Sequence, residues 1–405
     1  MARTPVKGAR PARRRDVLLA LASRPKALRV DPAINLFLLR YMKKFRVRDV
    51  GGNLILHSHL PPLNSRAYGR FIEDHLLKRT EGPSHAQVAV TNACPQRCLF
   101  CYNRDRAGRV MDTGTILDVV RDLKNAGVFW LGLTGGEPLL KPDLGKIVEA
   151  AADRCAVKLF TTGLGATAER ARELRGAGLF SVSVSLDHWD EKAHDAGRRF
   201  PGAFKEALRA IDVFLATPGL DVGVSAVLSR AMIRGGEAER FLEFLQGLGV
   251  HEAWLSEVMP SSGPLWNDEL VITEDDRRSL VGLQDRLNRN RGMTVNYLGH
   301  FEGREHFGCN AGRRMVYVDA FGEVSPCVFT PMTFGNVRER PLGDILPDMR
   351  RAFRSSDSCF LRENYRVLER HAADGLPLGR AASERVTAEA RSGPPAAFFR
   401  RFERS

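Results

Sequence analysis

The chain of 405 residues contains no apolar run long enough to cross a membrane. Residues 17–22 are apolar, but this stretch is short even for the core of a secretion signal, and no convincing small-residue cleavage site follows it. Cysteine is also scarce, with 7 residues, and three of these fall in one short segment that indicates thiolate ligation. Thiolate ligands need a reducing compartment, because disulfides would compete with them. We therefore expect a cytoplasmic protein whose only contact with a membrane would be peripheral.

Acidic residues are nearly missing from the first 48 positions, which hold 14 Lys or Arg and only Asp16 and Asp31. This segment has a net charge of +12 while the whole chain has +13, so the basic character belongs to an amino-terminal arm. Residues 1–15 are expected to be disordered. The arm lacks aromatic residues interleaved regularly with its charges, as base-stacking platforms require, so a nucleic acid partner is not expected.

The arm contains one predicted helix with an apolar stripe. Asp31 can cap this helix and Pro32 suits its first turn. Apolar side chains then recur at helical spacing, at Ile34, Leu38, Tyr41 and Phe45. Basic side chains lie beside them, at Arg40, Lys43, Lys44 and Arg46. Such a helix could lie on an anionic membrane surface or bind an acidic peptide. We favour a third interpretation, in which the stripe docks on the rest of the protein and the charges are solvated.

The most informative segment holds Cys94, Cys98 and Cys101, with three residues between the first pair and two between the second. A tight loop with these gaps can aim three thiolates at one [4Fe–4S] cube, which needs four ligands, so one iron remains open to a small chelating molecule. The alternative is a zinc knuckle or a set of inert thiols. Zinc sites usually pair Cys-x-x-Cys or Cys/His units, and no second unit lies nearby.

This spacing, with Phe100 before the last cysteine, resembles the cluster motif of the radical S-adenosylmethionine (SAM) superfamily. The resemblance implies that the amino and carboxylate groups of SAM occupy the open iron. It also implies that an electron, from a donor such as flavodoxin or ferredoxin, cleaves the sulfonium and releases a 5′-deoxyadenosyl radical. That radical would abstract hydrogen from an unactivated carbon of the substrate.

Further motifs carry the same resemblance. Gly135, Gly136 and Glu137 follow the strand-like residues 128–133, and they resemble the motif that binds the SAM amino group. Ser185 and Asp187 lie on one face of a strand-like segment and resemble the ribose-binding pair of the family. Arg198 resembles the arginine that reaches the SAM carboxylate, although a solvated charge at a helix end is equally compatible. Residues 222–228 would supply the apolar edge of the adenine pocket.

A repeated pattern of strand and helix predicts the fold. Helix-period segments follow six strand-like runs, at residues 87–91, 128–133, 157–161, 181–186, 222–228 and 253–257. Because each crossover returns the chain to the same end, the strands should be parallel. We therefore expect an α/β fold, an open (β/α)6 partial TIM barrel. The cysteine segment, Gly135 and Ser185 all fall after strands, where barrel enzymes collect their chemistry.

The remaining cysteines predict a second cluster. Cys309 and Cys327 flank two strand-like runs, 315–318 and 323–326, and a hairpin would bring these thiols together. The layout resembles the auxiliary-cluster domain of SPASM and twitch radical SAM enzymes, with Cys359 as a third ligand. One auxiliary [4Fe–4S] cluster is expected, and its fourth ligand is open between His306, a loop carboxylate, water and the substrate. Three cysteines and His306 on zinc is the alternative.

Four regions follow: a basic helical arm and linker at 1–86, the barrel at 87–299, a small hairpin and helix auxiliary domain at 300–380, and a tail at 381–405. The lone Cys155 is expected to be an inert packed thiol. Many relatives with this auxiliary domain modify ribosomally made peptides, and a basic arm suits an acidic leader. A peptide is thus the expected substrate. A lipid or isoprenoid at a membrane surface is the alternative, and a non-catalytic iron–sulfur or zinc binding protein is an alternative of another class.

Overall fold

The computed structural model describes residues 7–289 and 292–402. The amino-terminal extension forms a small three-stranded antiparallel sheet and packs helices beside it. A 3-10 helix at Pro25–Arg29 and a π-helix at Phe71–Leu77 complete this part. Its other elements are β1 (Ala9–Pro11), α1 (Arg14–Ala22), α2 (Pro32–Met42), β2 (Arg48–Val50), β3 (Asn53–Ile55) and α3 (Arg66–Arg70).

The middle of the chain alternates strands and helices, as the sequence predicts. Its strands are β4 (His85–Ala89), β5 (Trp130–Thr134), β6 (Ala156–Thr161), β7 (Leu179–Ser185), β8 (Asp221–Leu228), β9 (Glu252–Glu257) and β10 (Thr294–Tyr297). Its α-helices are α4 (Thr113–Asn125), α5 (Leu144–Ala152), α6 (Ala168–Gly176), α7 (Glu191–Arg198), α8 (Ala203–Leu215), α9 (Arg230–Arg234), α10 (Glu237–Leu248), α11 (Glu274–Arg289) and α12 (Leu298–Phe301). Short 3-10 helices lie at Pro138–Leu140 and Gly263–Leu265.

The carboxyl-terminal part contributes β11 (Met315–Val318), β12 (Val324–Ser325), α13 (Leu342–Ala352), α14 (Phe360–Arg370), α15 (Arg380–Glu389) and α16 (Ala397–Phe402). The predicted hairpin is confirmed, since β11 and β12 pair in antiparallel fashion. The hairpin is not a separate sheet, however. β11 pairs in parallel with β4, which gives one sheet of order β10-β9-β8-β7-β6-β5-β4-β11-β12. The auxiliary region therefore continues the partial barrel.

The six predicted parallel strands are β4 to β9, and all are confirmed. Their side chains are almost entirely buried, because helices cover the outer face of the sheet. Helix α4 illustrates the packing: Asp112 accepts a hydrogen bond from the Thr115 amide as its cap, and Ile116, Val120 and Leu123 face the sheet at helical spacing. The strands that lead into the loops at the carboxyl edge are thus packed against helices.

The amino-terminal extension packs on the barrel, as the favoured interpretation of its helix predicts. Asp31 caps α2, and Ile34, Tyr41 and Phe45 are buried in a second core with aromatic residues of the barrel. The predicted disorder of residues 1–15 is wrong for residues 7–15, because β1 pairs with β2 there. Residues 1–6 lie outside the described residues. None of the helices described is long and apolar enough to span a membrane.

A buried ion-pair network fastens the extension to the barrel. The guanidinium of Arg48 donates to Asp221 Oδ1 at 3.0 Å and to Glu252 Oε2 at 2.7 Å, at the first residues of β8 and β9. The carboxyl-terminal tail also packs on the amino-terminal extension. The ring of Phe398 in α16 contacts that of Phe37 in α2, with centroids 5.5 Å apart. Helix α16 of the tail therefore packs into the second core, and none of the described tail residues lines the cavity at the carboxyl edge of the sheet.

Candidate active site

Two loops meet at the carboxyl edge of the sheet. The cysteine loop, residues 90–112, follows β4, and Gly135 and Gly136 begin the loop after β5. The Gly136 amide donates to the Thr91 carbonyl at 2.8 Å. A Cβ added at Gly135 would lie 2.2 Å from the Thr91 oxygen, and one at Gly136 would lie 2.3 Å from the Ala93 oxygen. No side chain fits in such contacts, so both glycines are required for the loops to meet.

The cysteine loop brings Cys94, Cys98 and Cys101 to one cavity. Cys98 is buried and the other two are half-buried. Burial raises the pKa of all three thiols, and it raises that of Cys94 to about 11. The thiolate forms therefore need positive charge beside them, which iron would supply.

Arg198 supplies a second positive charge next to the cysteines. It ends α7 and is buried, with Nη1 at 3.7 Å from Cys98 Sγ and its guanidinium 5.2 Å from the centre of the Phe100 ring. Asp187 holds it, accepting from Nε at 2.7 Å and from Nη2 at 2.6 Å. The other carboxylate oxygen of Asp187 accepts from the Val227 amide at 2.9 Å. The solvated interpretation of Arg198 is therefore wrong.

Two predicted site residues use their carboxylates within the protein. Asp187 accepts from Arg198 and from the Val227 amide, so it positions Arg198, and its contact with a ribose stays a prediction. The carboxylate of Glu137 turns away from the cavity and is fully buried. It accepts hydrogen bonds from the amide and hydroxyl of Thr162 and from the Thr161 hydroxyl. Glu137 therefore fastens the loop after β5 to the end of β6.

The cavity between these loops has a volume of about 720 Å³. It is lined by most of the predicted site residues: Cys94, Cys98, Phe100, Cys101, Gly135, Gly136, Ser185 and Arg198. Strand β8 contributes Ser225 and Val227 to the lining, and the adenine edge expected at this segment stays a prediction. The lining also includes Cys327 and Glu302, so the cavity reaches the auxiliary cysteines. Its size falls in the range of ligand-binding cavities.

Contacts that the sequence did not reveal tie the cysteine loop to the hairpin. Arg106 donates to Asp319 Oδ2 at 3.0 Å, and both side chains are buried. Tyr317 donates to the Asn103 amide oxygen at 2.7 Å, and Asn103 in turn donates to the Gly135 carbonyl at 2.8 Å. One chain of hydrogen bonds thus joins β11 to both loops. The contacts of Arg106 with Asp319 and of Tyr317 with Asn103 join residues more than 200 positions apart, which the parallel pairing of β11 with β4 brings together.

Cys309 and Cys359 are held side by side. The Cys309 amide donates to the Ser356 carbonyl at 2.8 Å, and the amide of Phe360, which begins α14, donates to Cys309 Sγ at 3.5 Å. A hydrogen bond between the two thiols and burial raise the pKa of Cys309. The same hydrogen bond, with the charge of Arg362, lowers the pKa of Cys359. Cys327 follows β12 and completes the group.

A second, narrower cavity adjoins the first and contains all three auxiliary cysteines, together with Glu257, Arg277 and Glu302. Burial, with negative charge at Cys359 and Glu257, raises the pKa of Glu302 to about 8. His306 is not part of this cavity: its Nδ1 lies 2.8 Å from the His300 carbonyl and its ring packs on Tyr41. The position of His306 therefore gives no support to it as a fourth ligand, to iron or to zinc.

These donor sets fit iron–sulfur clusters. Each consists of three thiols facing one cavity, beside an arginine that offsets negative charge. Within the described ranges, no three His, Cys, Asp or Glu side chains converge tightly enough to hold a single metal ion. A [4Fe–4S] cube meets its thiolates at separate corners. Cys155 plays no part, since it is buried and its thiol donates to the Val128 carbonyl at 3.2 Å, as expected for a packed thiol.

Comparisons with known proteins agree with this site. The family model of the Radical SAM superfamily matches residues 88–246, and that of the SPASM iron–sulfur cluster-binding domain matches residues 309–367. The first match spans the cysteine loop, both glycines and Arg198. The second begins at Cys309 and includes Cys327 and Cys359.

Three similar proteins illustrate the relationship. The AdoMet-dependent heme synthase of Methanosarcina barkeri is 26% identical over 67% of this chain and 84% of its own length. The PqqA peptide cyclase of Streptomyces rochei is 28% identical over 72% of this chain and 84% of its own. Among solved structures, Streptococcus suis SuiB bound to its precursor peptide SuiA is 17% identical and superposes with a TM-score of 0.55 over 71% of this chain and 72% of that one.

A radical SAM domain binds a [4Fe–4S] cluster and SAM, and a SPASM domain binds auxiliary iron–sulfur clusters. Both cysteine sets found here lie within the matched regions, and the fold is the partial barrel of such enzymes. The chain is therefore an enzyme of the radical SAM superfamily that carries a SPASM iron–sulfur domain.

Proposed function

We propose that this enzyme abstracts a hydrogen atom from an unactivated carbon of a peptide. One observation carries the proposal: a single cavity of about 720 Å³ is lined both by the cysteine loop and by Cys327 and Glu302 of the auxiliary site. When bound, the cluster at the cysteine loop supplies the electron that cleaves SAM into methionine and a 5′-deoxyadenosyl radical. A substrate carbon between the two sites would lie within reach of that radical.

In this proposal, backbone and side-chain groups around the cavity hold SAM. Gly135 and Gly136 let the backbone approach its amino group, Arg198 pairs with its carboxylate, and Ser185 accepts or donates at the ribose. Asp187 keeps the guanidinium in place through two charge-assisted hydrogen bonds. Apolar rings of Phe160, Trp254 and Phe329 form other parts of the wall and would exclude water from the reacting carbon.

The names of the relatives support a peptide as the substrate. One curated relative is a PqqA peptide cyclase, and SuiB was solved with a precursor peptide. The heme synthase acts on a different class, so a tetrapyrrole is the competing substrate. A lipid is less favoured, because the apolar stripe of α2 packs into the protein.

Anaerobic turnover tests the proposal. The enzyme, reconstituted with iron and sulfide, is incubated with SAM and dithionite, the latter replacing the flavodoxin or ferredoxin expected as donor. We expect 5′-deoxyadenosine from the enzyme and none from the Cys94→Ala/Cys98→Ala/Cys101→Ala variant.

Substrate class is tested by co-expression with any short peptide encoded beside its gene, or otherwise with a library of short peptides, followed by mass spectrometry of each peptide. A mass change that requires the three cysteines supports a peptide substrate. Unchanged peptides together with faster 5′-deoxyadenosine formation on adding a tetrapyrrole would contradict it.

A further inference from the structure

We infer that Glu302 is the fourth protein ligand of the auxiliary cluster. The inference concerns the SPASM site alone and does not depend on the class of substrate. Cys309, Cys327 and Cys359 supply three ligands, and a cube with four corners needs one more donor to be closed by the protein.

The cavity that contains the three thiols offers two further carboxylates, Glu257 and Glu302. Glu257 already has a partner, because Arg277 Nη1 donates to its Oε1 at 2.8 Å. The carboxylate of Glu302 makes no hydrogen bond or ion pair with any residue in the described ranges, and yet it faces both this cavity and the active-site cavity. An unpaired carboxylate away from bulk water is costly, and a bound cation removes that cost.

Backbone hydrogen bonds fix the position of Glu302. It follows α12, and its amide donates to the Leu298 carbonyl at 2.8 Å. The loop from Glu302 to Cys309 is closed by a hydrogen bond from the Phe307 amide to the Phe301 carbonyl at 3.1 Å. Two candidate ligands are therefore tied together by a short, hydrogen-bonded loop. Arg277 lines the same cavity and adds positive charge opposite an anionic ligand set.

A cluster closed in this way has no iron open to the substrate. The substrate would then contact the wall of the auxiliary site without binding its metal. Three cysteines alone leave it open whether the auxiliary cluster binds the substrate. An open iron could anchor a substrate directly, whereas a fourth protein ligand would prevent this.

The test isolates the auxiliary cluster in the Cys94→Ala/Cys98→Ala/Cys101→Ala background, which removes the SAM-binding cluster. Glu302→Ala is compared with Glu305→Ala, a matched control because Glu305 is exposed in the same loop. Both variants are reconstituted anaerobically, mildly oxidised and examined by electron paramagnetic resonance (EPR) and Mössbauer spectroscopy. We expect iron affinity at the fourth corner to fall roughly tenfold or more in Glu302→Ala, seen as a [3Fe–4S] signal that Glu305→Ala lacks. Glu302→Cys should restore a four-iron cluster.

Equal [3Fe–4S] yields from the Glu302 and Glu305 variants would overturn the inference. A second measurement needs no substitution at Glu302. In the background variant, an added small thiol should leave the EPR spectrum of the reduced auxiliary cluster unchanged, because every corner is occupied. A shifted spectrum would reveal an open iron and would also overturn the inference, whether or not Glu302→Ala folds.

Discussion

Replacing Asp187 with Asn tests how the site positions its arginine. Asp187 and Arg198 are both buried, and two hydrogen bonds of 2.7 and 2.6 Å join them. Asn keeps the shape of Asp and one oxygen, which can still accept from the Val227 amide. Its NH₂ group then faces the guanidinium, so the charge of Arg198 loses its partner.

Removing one member of a buried ion pair costs about 3–5 kcal/mol, because the other charge stays desolvated. No carboxylate other than Asp187 forms an ion pair with Arg198 among the described residues. We therefore expect the free energy of unfolding to fall by that amount. The loss would be smaller if the guanidinium turned into the cavity. Such a turn would move it away from Cys98 Sγ, which lies at 3.7 Å. SAM affinity should then fall as well.

The assay is anaerobic urea unfolding of the reconstituted enzyme, with SAM binding measured by equilibrium dialysis. Glu191→Gln is the control, because it breaks the exposed pair of Glu191 with Lys205 and should change neither quantity measurably. If Asp187→Asn unfolds like the wild type and binds SAM equally well, Arg198 is not held by this pair and the description of the site is wrong.

Three further predictions follow from other contacts. Gly136→Ala should prevent assembly of the SAM-binding cluster while the auxiliary cluster still forms, because the added Cβ would lie 2.3 Å from the Ala93 oxygen. Iron content and EPR measure this. The control is Gly282→Ala, in open space on α11, which should assemble both clusters. Arg48→Met removes the guanidinium that pairs with both Asp221 and Glu252 and should lower the free energy of unfolding by about 3–5 kcal/mol. Arg10→Met removes an exposed arginine from its pair with Asp49 and should have a smaller effect; equal effects would contradict the network. Burial lowers the pKa of His75, His85 and His194 to about 4. The unfolded chain therefore binds more protons, and the free energy of unfolding should fall from pH 6.5 towards pH 4 by up to about 1.4 kcal/mol per pH unit for each histidine. His75→Gln should reduce this slope, and a flat profile would contradict the assigned burial.

The sequence sufficed for features that depend on local pattern. The spacing of Cys94, Cys98 and Cys101 predicted a loop that aims three thiols at one cavity, and the structure places them there. Six strands followed from the repeat of apolar runs and helical segments, and the Asp31 cap marked the start of α2. Each of these depends on residues close together in the chain.

Features that depend on distant partners were not predictable. Glu137 was expected to face the ligand, and nothing near it in the sequence indicates that Thr161 and Thr162 would bind its carboxylate. Asp187 was expected at the ribose, and nothing near it in the sequence indicates that helix α7 would bring Arg198 to its carboxylate. The pairing of β11 with β4, and with it the contact between Arg106 and Asp319, arises only when the sheet is assembled.

The central claim is that the protein leaves one corner of the Cys94, Cys98 and Cys101 cluster for SAM. The most direct measurement is EPR of the anaerobically reduced enzyme in which Cys309, Cys327 and Cys359 are replaced by Ala, recorded with and without SAM. We expect the spectrum of a [4Fe–4S] cluster that changes when SAM is added. Zinc at these thiols, or a four-iron spectrum that SAM does not alter, would contradict the claim.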